Sequence, residues 1–145
     1  MRVIKFRGKD LDTNEWVYGD LLRAIDYDPD TRKGVFTKGY IIHEKGDENT
    51  NYVCRSVDID PNTVGQFIGV YDKNGKEVYE GDIVDCWSEG RHCTNGIVKW
   101  MQNRIWIASI WDIWNLMPNK NGIDEGLIVV GNIYDNPELL EGGDQ

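Results

Sequence analysis

A mainly β fold, with an N-terminal antiparallel subdomain packed on a small C-terminal barrel, is predicted by three features of the sequence. Short runs rich in branched and aromatic residues recur along the whole chain. Gly, Pro, Asn and Asp clusters punctuate them, and only one short segment, near 110–117, carries apolar residues at helical spacing.

The elements follow in order. Val3 to Arg7 alternates apolar and charged residues with period two, and Glu15 to Arg23 is rich in aromatic and branched residues, so both read as strands around a turn at Asp12-Thr13-Asn14. Asp26 to Gly34, polar with Pro29 inside, reads as a loop, and Phe36 to His43 as the next strand. Glu44 to Asn51, acidic and without an apolar anchor, is expected to be a mobile loop. Tyr52 to Ile59 reads as a strand that ends at Asp60-Pro61-Asn62, because proline cannot donate into a ladder. The internal boundary is placed there, giving an N-terminal β subdomain over 1–62, a barrel subdomain over 63–141 and a flexible tail over 142–145.

In the second half, Gln66 to Tyr71 and Lys76 to Tyr79 flank Asn74-Gly75, a pair expected to form a type I′ turn that defines the fold locally. Ile83 to Trp87, Gly96 to Trp100 and Ile105 to Ala108 read as three short strands, separated by Ser88 to Asn95 and by a turn at Met101 to Arg104. Such spacing suggests a small barrel or sandwich. Ser109 to Asp112 resembles a helix cap, and Ile110, Ile113, Trp114 and Met117 follow at helical spacing, so a short helix is expected over 110–117. Leu127 to Tyr134 is the last strand, and Pro137 to Leu140 a terminal helical turn with Pro at its first position.

Composition narrows the function classes. Two halves of about 70 residues would be too small to be stable apart, so a single compact unit is expected. The formal net charge of −9 is poorly suited to a general polyanion binder, since nucleic-acid affinity rests on cations that displace counterions from phosphates. The distribution is uneven: Arg2, Lys5, Arg7 and Lys9 make the start basic, whereas Asp135, Glu138, Glu141 and Asp144 make the tail acidic. No continuous apolar run reads as a secretory signal or a membrane span. Cys54, Cys86 and Cys93, odd in number and without framework spacing, read as free thiols in a reducing cytoplasm.

Three blocks taken together resemble the YopX family of phage and prophage proteins. They are Ile4 to Gly8 with Glu15 to Gly19, then Asp60 to Gly69 running through Asp72 to Val84, and finally Val130 to Leu139. The resemblance implies a mainly β fold whose C-terminal half is SH3-like, encoded by a bacterial virus or an integrated prophage. It implies no enzyme activity, and so no catalytic residues. The chain departs from the usual pattern between Trp106 and Trp114 and between Cys86 and Cys93. Glycines at turns, the Asn-Gly hairpin and alternating strands give the matched blocks an architectural purpose.

Several chemistries are weighed and set aside. Asp26-Tyr27-Asp28-Pro29-Asp30 opens like a calcium loop, but the sixth position is Thr31 rather than Gly and the twelfth is Thr37 rather than Glu. Gly69 to Lys76 has the wrong spacing for a phosphate loop. Cys86, His92 and Cys93 fall one ligand short of a structural zinc site, with Cys54 and His43 distant in sequence, so no metal or cofactor is expected. Neither histidine lies in a catalytic motif, and Glu77, Glu80 and Asp82 are expected at an exposed hairpin end.

Trp100, Trp106, Trp111 and Trp114 are suited to stacking, yet Arg104 is the only basic residue between the first and the last. Core packing and protein contact are both open to them, with Trp106, Trp111 and Trp114 the candidate interface. The leading expectation is a non-enzymatic, cytoplasmic accessory protein that self-associates or contacts a phage or host protein, with no membrane or small-molecule partner. The alternative is a nucleic-acid-associated module using the basic N-terminal strand.

Overall fold

The computed structural model describes residues 3–46, 52–88, 91–108, 113–115 and 122–140. The chain is mainly β and antiparallel, as expected, and divides between Gln66 and Phe67 into two compact units.

The first unit contains β1 (Phe6–Asp10), β2 (Trp16–Asp28), β3 (Lys33–Gly46) and most of β4 (Tyr52–Tyr71). Each strand pairs with the next, and β1 also pairs with β4, so the four hydrogen-bond in a closed cycle. Closure removes the open edges that a four-stranded sheet would otherwise present. Ile59, fully buried, lies where β4 meets both β1 and β3. Gly8 faces it on β1, and a Cβ there would stand 2.5 Å from Ile59 Cδ1.

Three readings change here. The expected loop over Asp26 to Gly34 shrinks to Pro29–Arg32, because both strands run further than their polar composition suggests. The tight turn is built by Asp28, whose carbonyl accepts from Arg32 N at 2.8 Å and whose carboxylate accepts from Asp30 N and the Thr31 hydroxyl. The expected mobile loop at Glu44 is strand as far as Gly46, and the rest of it lies outside the described residues.

Asp60-Pro61-Asn62 is not a break either. β4 continues through it as a bulge, in which the step from Arg7 to Lys9 on β1 faces the step from Gly65 to Asp60. Proline fits because a bulge residue has no ladder bond to donate. The buried Thr63 hydroxyl fills the gap, accepting from Lys9 N at 2.9 Å and donating to Asp60 O at 2.7 Å.

The second unit begins with the end of β4, which pairs with β5 (Glu77–Tyr79). Its sheet has the order β10-β6-β7-β8-β9, from β6 (Asp82–Ser88), β7 (Arg91–Met101), β8 (Arg104–Ala108), β9 (Ile113–Asn115) and β10 (Leu127–Asn132). A 3-10 turn, Pro137–Leu140, closes the described chain where a helical turn was expected. Ile68, Val70, Val78, Val84, Cys86, Val98, Ile105, Ile107 and Leu127 form the core, with Trp100 and Val129 packed against it. Full burial of each aliphatic side chain stabilises by about 1.5–3 kcal/mol, so this cluster dominates the unit.

The helix expected over 110–117 is strand where it is described: Ile113, Trp114 and Asn115 pair with Ala108, Ile107 and Trp106. A helix of two turns is marginal alone, whereas β8 offers a ready ladder and branched and aromatic residues suit it. The proposed cap, Ser109 to Asp112, and Leu116 and Met117 lie outside the described residues.

The turn types also differ from expectation. Gly75 has φ +79° but Asn74 does not have a positive φ, so Asn74-Gly75 is not type I′. Instead Gly75 N donates to Asp72 O and Asp72 N to Lys76 O, a type I turn over 72–75 closed by a left-handed glycine. The two-residue turn with both φ positive is Gln102-Asn103, at 53° and 61°, between Met101 and Arg104.

A tryptophan–histidine stack as candidate functional site

On β6, Val84 and Cys86 point into the core, so the period of two turns Asp85 and Trp87 to the opposite face. β7 carries a bulge between the pairs Val84↔Gly96 and Cys86↔Cys93, and within it Asn95 adopts φ 55°. Asp85 Oδ1 accepts the displaced Asn95 N–H at 3.3 Å, and the Asn95 amide donates to Leu139 O at 2.8 Å. The bulge sets the register beyond it, which places His92 directly opposite Trp87.

The two rings stack with centroids 3.9 Å apart and planes 17° from parallel. His92 Nε2 stands 4.0 Å from Asp85 Oδ2. Trp87 is nevertheless 56% exposed. Its backbone is held firmly: Trp87 N donates to Gly126 O at 2.7 Å, and a Cβ at Gly126 would collide with Trp87 O. Asp124 holds the turn in place by accepting Gly126 N at 2.9 Å. A large exposed ring on a fixed backbone, flanked by a carboxylate, provides stacking and apolar contact with little rotamer entropy to lose.

Sequence reasoning treated His92 as a weak metal ligand and passed over Trp87. The alternation of Val84 and Cys86 was enough to turn Trp87 outward. The expected separator from Ser88 to Asn95 hid its partner, because polar residues there pair as strand from Arg91 onward.

The remaining candidates are scattered. Trp106 is half-buried on the face opposite Ile105 and Ile107, and its indole N–H donates to Met101 O at 2.9 Å. Trp114 lies opposite Ile107 in β9, and Trp111 is outside the described residues. Asn74 and Gly75 sit in the β4–β5 turn. Cys86 is buried and in no disulfide, while Cys54 and His43 fall on β4 and β3. Asp82 is fully buried rather than exposed, accepting Tyr79 N at 2.8 Å, and Glu77 accepts from the Tyr79 hydroxyl. These acids are therefore engaged in holding Tyr79.

The basic strand β1 has its own aromatic partners. Arg7 Cζ lies 4.5 Å and Lys9 Nζ 5.4 Å from the Trp16 ring centroid, and Lys5 Nζ lies 5.9 Å from that of Tyr18. Arg7 is buried, which withdraws the central cation from an incoming phosphate.

Fold and site together define a small antiparallel β protein of two units, each strand held by cross-strand pairs and side-chain-capped turns. The YopX protein family matches residues 5–141, and the chain belongs to that family. Among solved structures, it is similar to the crystal structure of protein EF1440 from Enterococcus faecalis, with 25% sequence identity and a TM-score of 0.59, over 97% of this chain and 100% of that one. No curated protein matches. Among the described residues no helix is long and apolar enough to cross a membrane.

Proposed function

We propose that this YopX-family chain is a phage- or prophage-encoded accessory protein that works by protein contact, not catalysis, in the cytoplasm of a bacterial host, and that its second unit is SH3-like. The exposed Trp87, on a backbone pinned by Gly126, is the observation that supports this most directly. Tryptophan is enriched among the few side chains that dominate interfaces, and a buried one at an interface centre contributes on the order of 2 kcal/mol or more. Self-association is assigned to the segment Ile105 to Trp114, in which Trp106 lies on the face away from the buried Ile105 and Ile107.

Light scattering across micromolar concentrations, on the parent and on Trp87→Ala, Trp111→Ala and Trp114→Ala, tests the self-association arm. Affinity purification from the bacterial host, with Trp87→Ala in parallel, tests the arm with a foreign partner. A strictly monomeric parent that retains no chain more strongly than Trp87→Ala does would sink the reading. The nucleic-acid alternative draws on the ladder of Lys5, Arg7 and Lys9 over Trp16 and Tyr18. It requires a salt-dependent mobility shift with labelled DNA or RNA that Lys5→Ala and Lys9→Ala weaken.

A further inference from the structure

Resting on that reading of Trp87, we propose that the Trp87–His92 face receives a cationic side chain, arginine foremost, from a basic segment of the partner protein. The imidazole stacks on the indole, and Trp87 is still 56% exposed, which leaves surface of the residue open to a ligand. An indole face carries the negative side of the ring quadrupole and attracts cations. Acids lie on the neighbouring backbone: Asp85, two residues before Trp87 on the same face of β6 and 4.0 Å from His92, and Asp124 and Glu125 in the turn whose Gly126 carbonyl accepts the Trp87 N–H.

Charge supports the same partner at longer range, because a chain of net charge −9 draws basic segments toward it and repels acidic ones. Arginine fits better than lysine, since a planar guanidinium stacks on the ring while its N–H fork reaches a carboxylate. The molecule already places a guanidinium over an indole internally, where Arg7 Cζ lies 4.5 Å from the Trp16 ring centroid. An apolar or aromatic partner would gain nothing from the acidic charge of the chain.

The test is a titration of the full chain with three short peptides, Gly-Arg-Gly-Arg-Gly and its lysine and glutamate counterparts, each blocked at both ends. The indole N–H signal of Trp87, assigned through Trp87→Phe, is followed by NMR. The arginine peptide should shift it saturably, the lysine peptide less and the glutamate peptide not at all. Read by calorimetry, since both variants lose the indole signal, Trp87→Ala should weaken binding of the arginine peptide by about threefold or more, with Trp87→Phe between the two. Because Asp85 also caps Asn95, the charge contribution is read from Glu125→Gln, whose side chain is exposed and which should weaken binding without changing the melting temperature. Equal responses to the arginine and glutamate peptides, or undiminished binding by Trp87→Ala, would overturn the proposal. If Trp87→Ala disrupts self-association in light scattering while the arginine peptide leaves the indole signal unmoved, contact through Trp87 stands and the cationic partner falls.

Discussion

The Asp72 carboxylate ties the β4–β5 turn to β10: Oδ2 accepts the Val129 N–H at 3.0 Å, while Oδ1 accepts Asn74 N and Lys76 N, both at 2.9 Å. The side chain is 1% exposed. Lys73 N donating to Leu127 O at 2.8 Å fastens the same two elements a second time.

Asp72→Ala strips three backbone donors of their acceptor, of which those of Asn74 and Lys76 belong to exposed residues that water can reach. An unsatisfied buried donor costs about 1–3 kcal/mol, so a loss of about 1–3 kcal/mol, carried mainly by the Val129 N–H, is expected in denaturant unfolding. Asp72→Asn should fall between, because one oxygen remains while its amide faces the Val129 N–H. A midpoint for Asp72→Ala within error of the parent would rule out this role.

The two turns predict opposite responses to similar changes. Gly75→Val places a branched side chain at φ +79° and should cost about 1–3 kcal/mol, whereas Asn74→Ala, at a position without positive φ, should cost less than about 1 kcal/mol. Asn103→Gly at φ 61° should stabilise by roughly 0.5 kcal/mol, since glycine occupies that region without steric strain. If Asn74→Gly stabilised and Asn103→Gly did not, the turn types would be the wrong way round.

Strand positions with period two and the placement of most turns were readable from residues alone, because alternation and Gly, Asn and Pro act locally. The type of a turn was not, since Asn-Gly favours type I′ only until a preceding Asp72 offers its carboxylate to the turn's N–H groups. Pro61 reads as a stop because its missing donor is visible in sequence, while the compensating Thr63 hydroxyl depends on Lys9 from the far end of the unit. The same limit applies to Ile113–Asn115, where pairing with β8 overrides helical spacing, and to the candidate site, where a bulge at Asn95 brings His92 against Trp87. Within the block from Val130 to Leu139, the Asn132 side chain accepts Tyr134 N and Asp135 N, and Asn132 N donates to the Asn136 side chain.

Asp28 gives a prediction in pH. The Thr31 hydroxyl bond first, and the Asp30 N–H second, hold its carboxyl below the usual aspartate range. A carboxyl depressed in the folded state adds stability above its unfolded pKa, and that contribution disappears as pH falls through the lower folded value. Thr31→Val should therefore raise the Asp28 titration midpoint followed by carboxyl NMR, and Asp28→Asn should flatten the acid limb of stability against pH. Because the side chain is exposed, the change in slope will be small. An unmoved midpoint in Thr31→Val would remove the hydroxyl as the main cause.

Gly8 and Ile59 supply a test of how the first unit closes. A methyl at Gly8 would meet Ile59 Cδ1 at 2.5 Å and Ile59 Cβ at 3.2 Å, so one side or the other must move. Overpacking of this kind costs typically about 1–3 kcal/mol. Gly8→Ala should lose that much, and Ile59→Val alone about 0.5–1.5 kcal/mol from the missing methyl. The double variant decides between causes, because Ile59→Val removes the atom that the new methyl strikes. If direct collision dominates, Gly8→Ala with Ile59→Val should be less destabilised than the sum of the two single changes, with a coupling of roughly 0.5–2 kcal/mol in denaturant unfolding. Strict additivity would instead trace the cost of Gly8→Ala to the β1 backbone, leaving the close approach of β1 to Ile59 without a part in holding the four strands in their cycle.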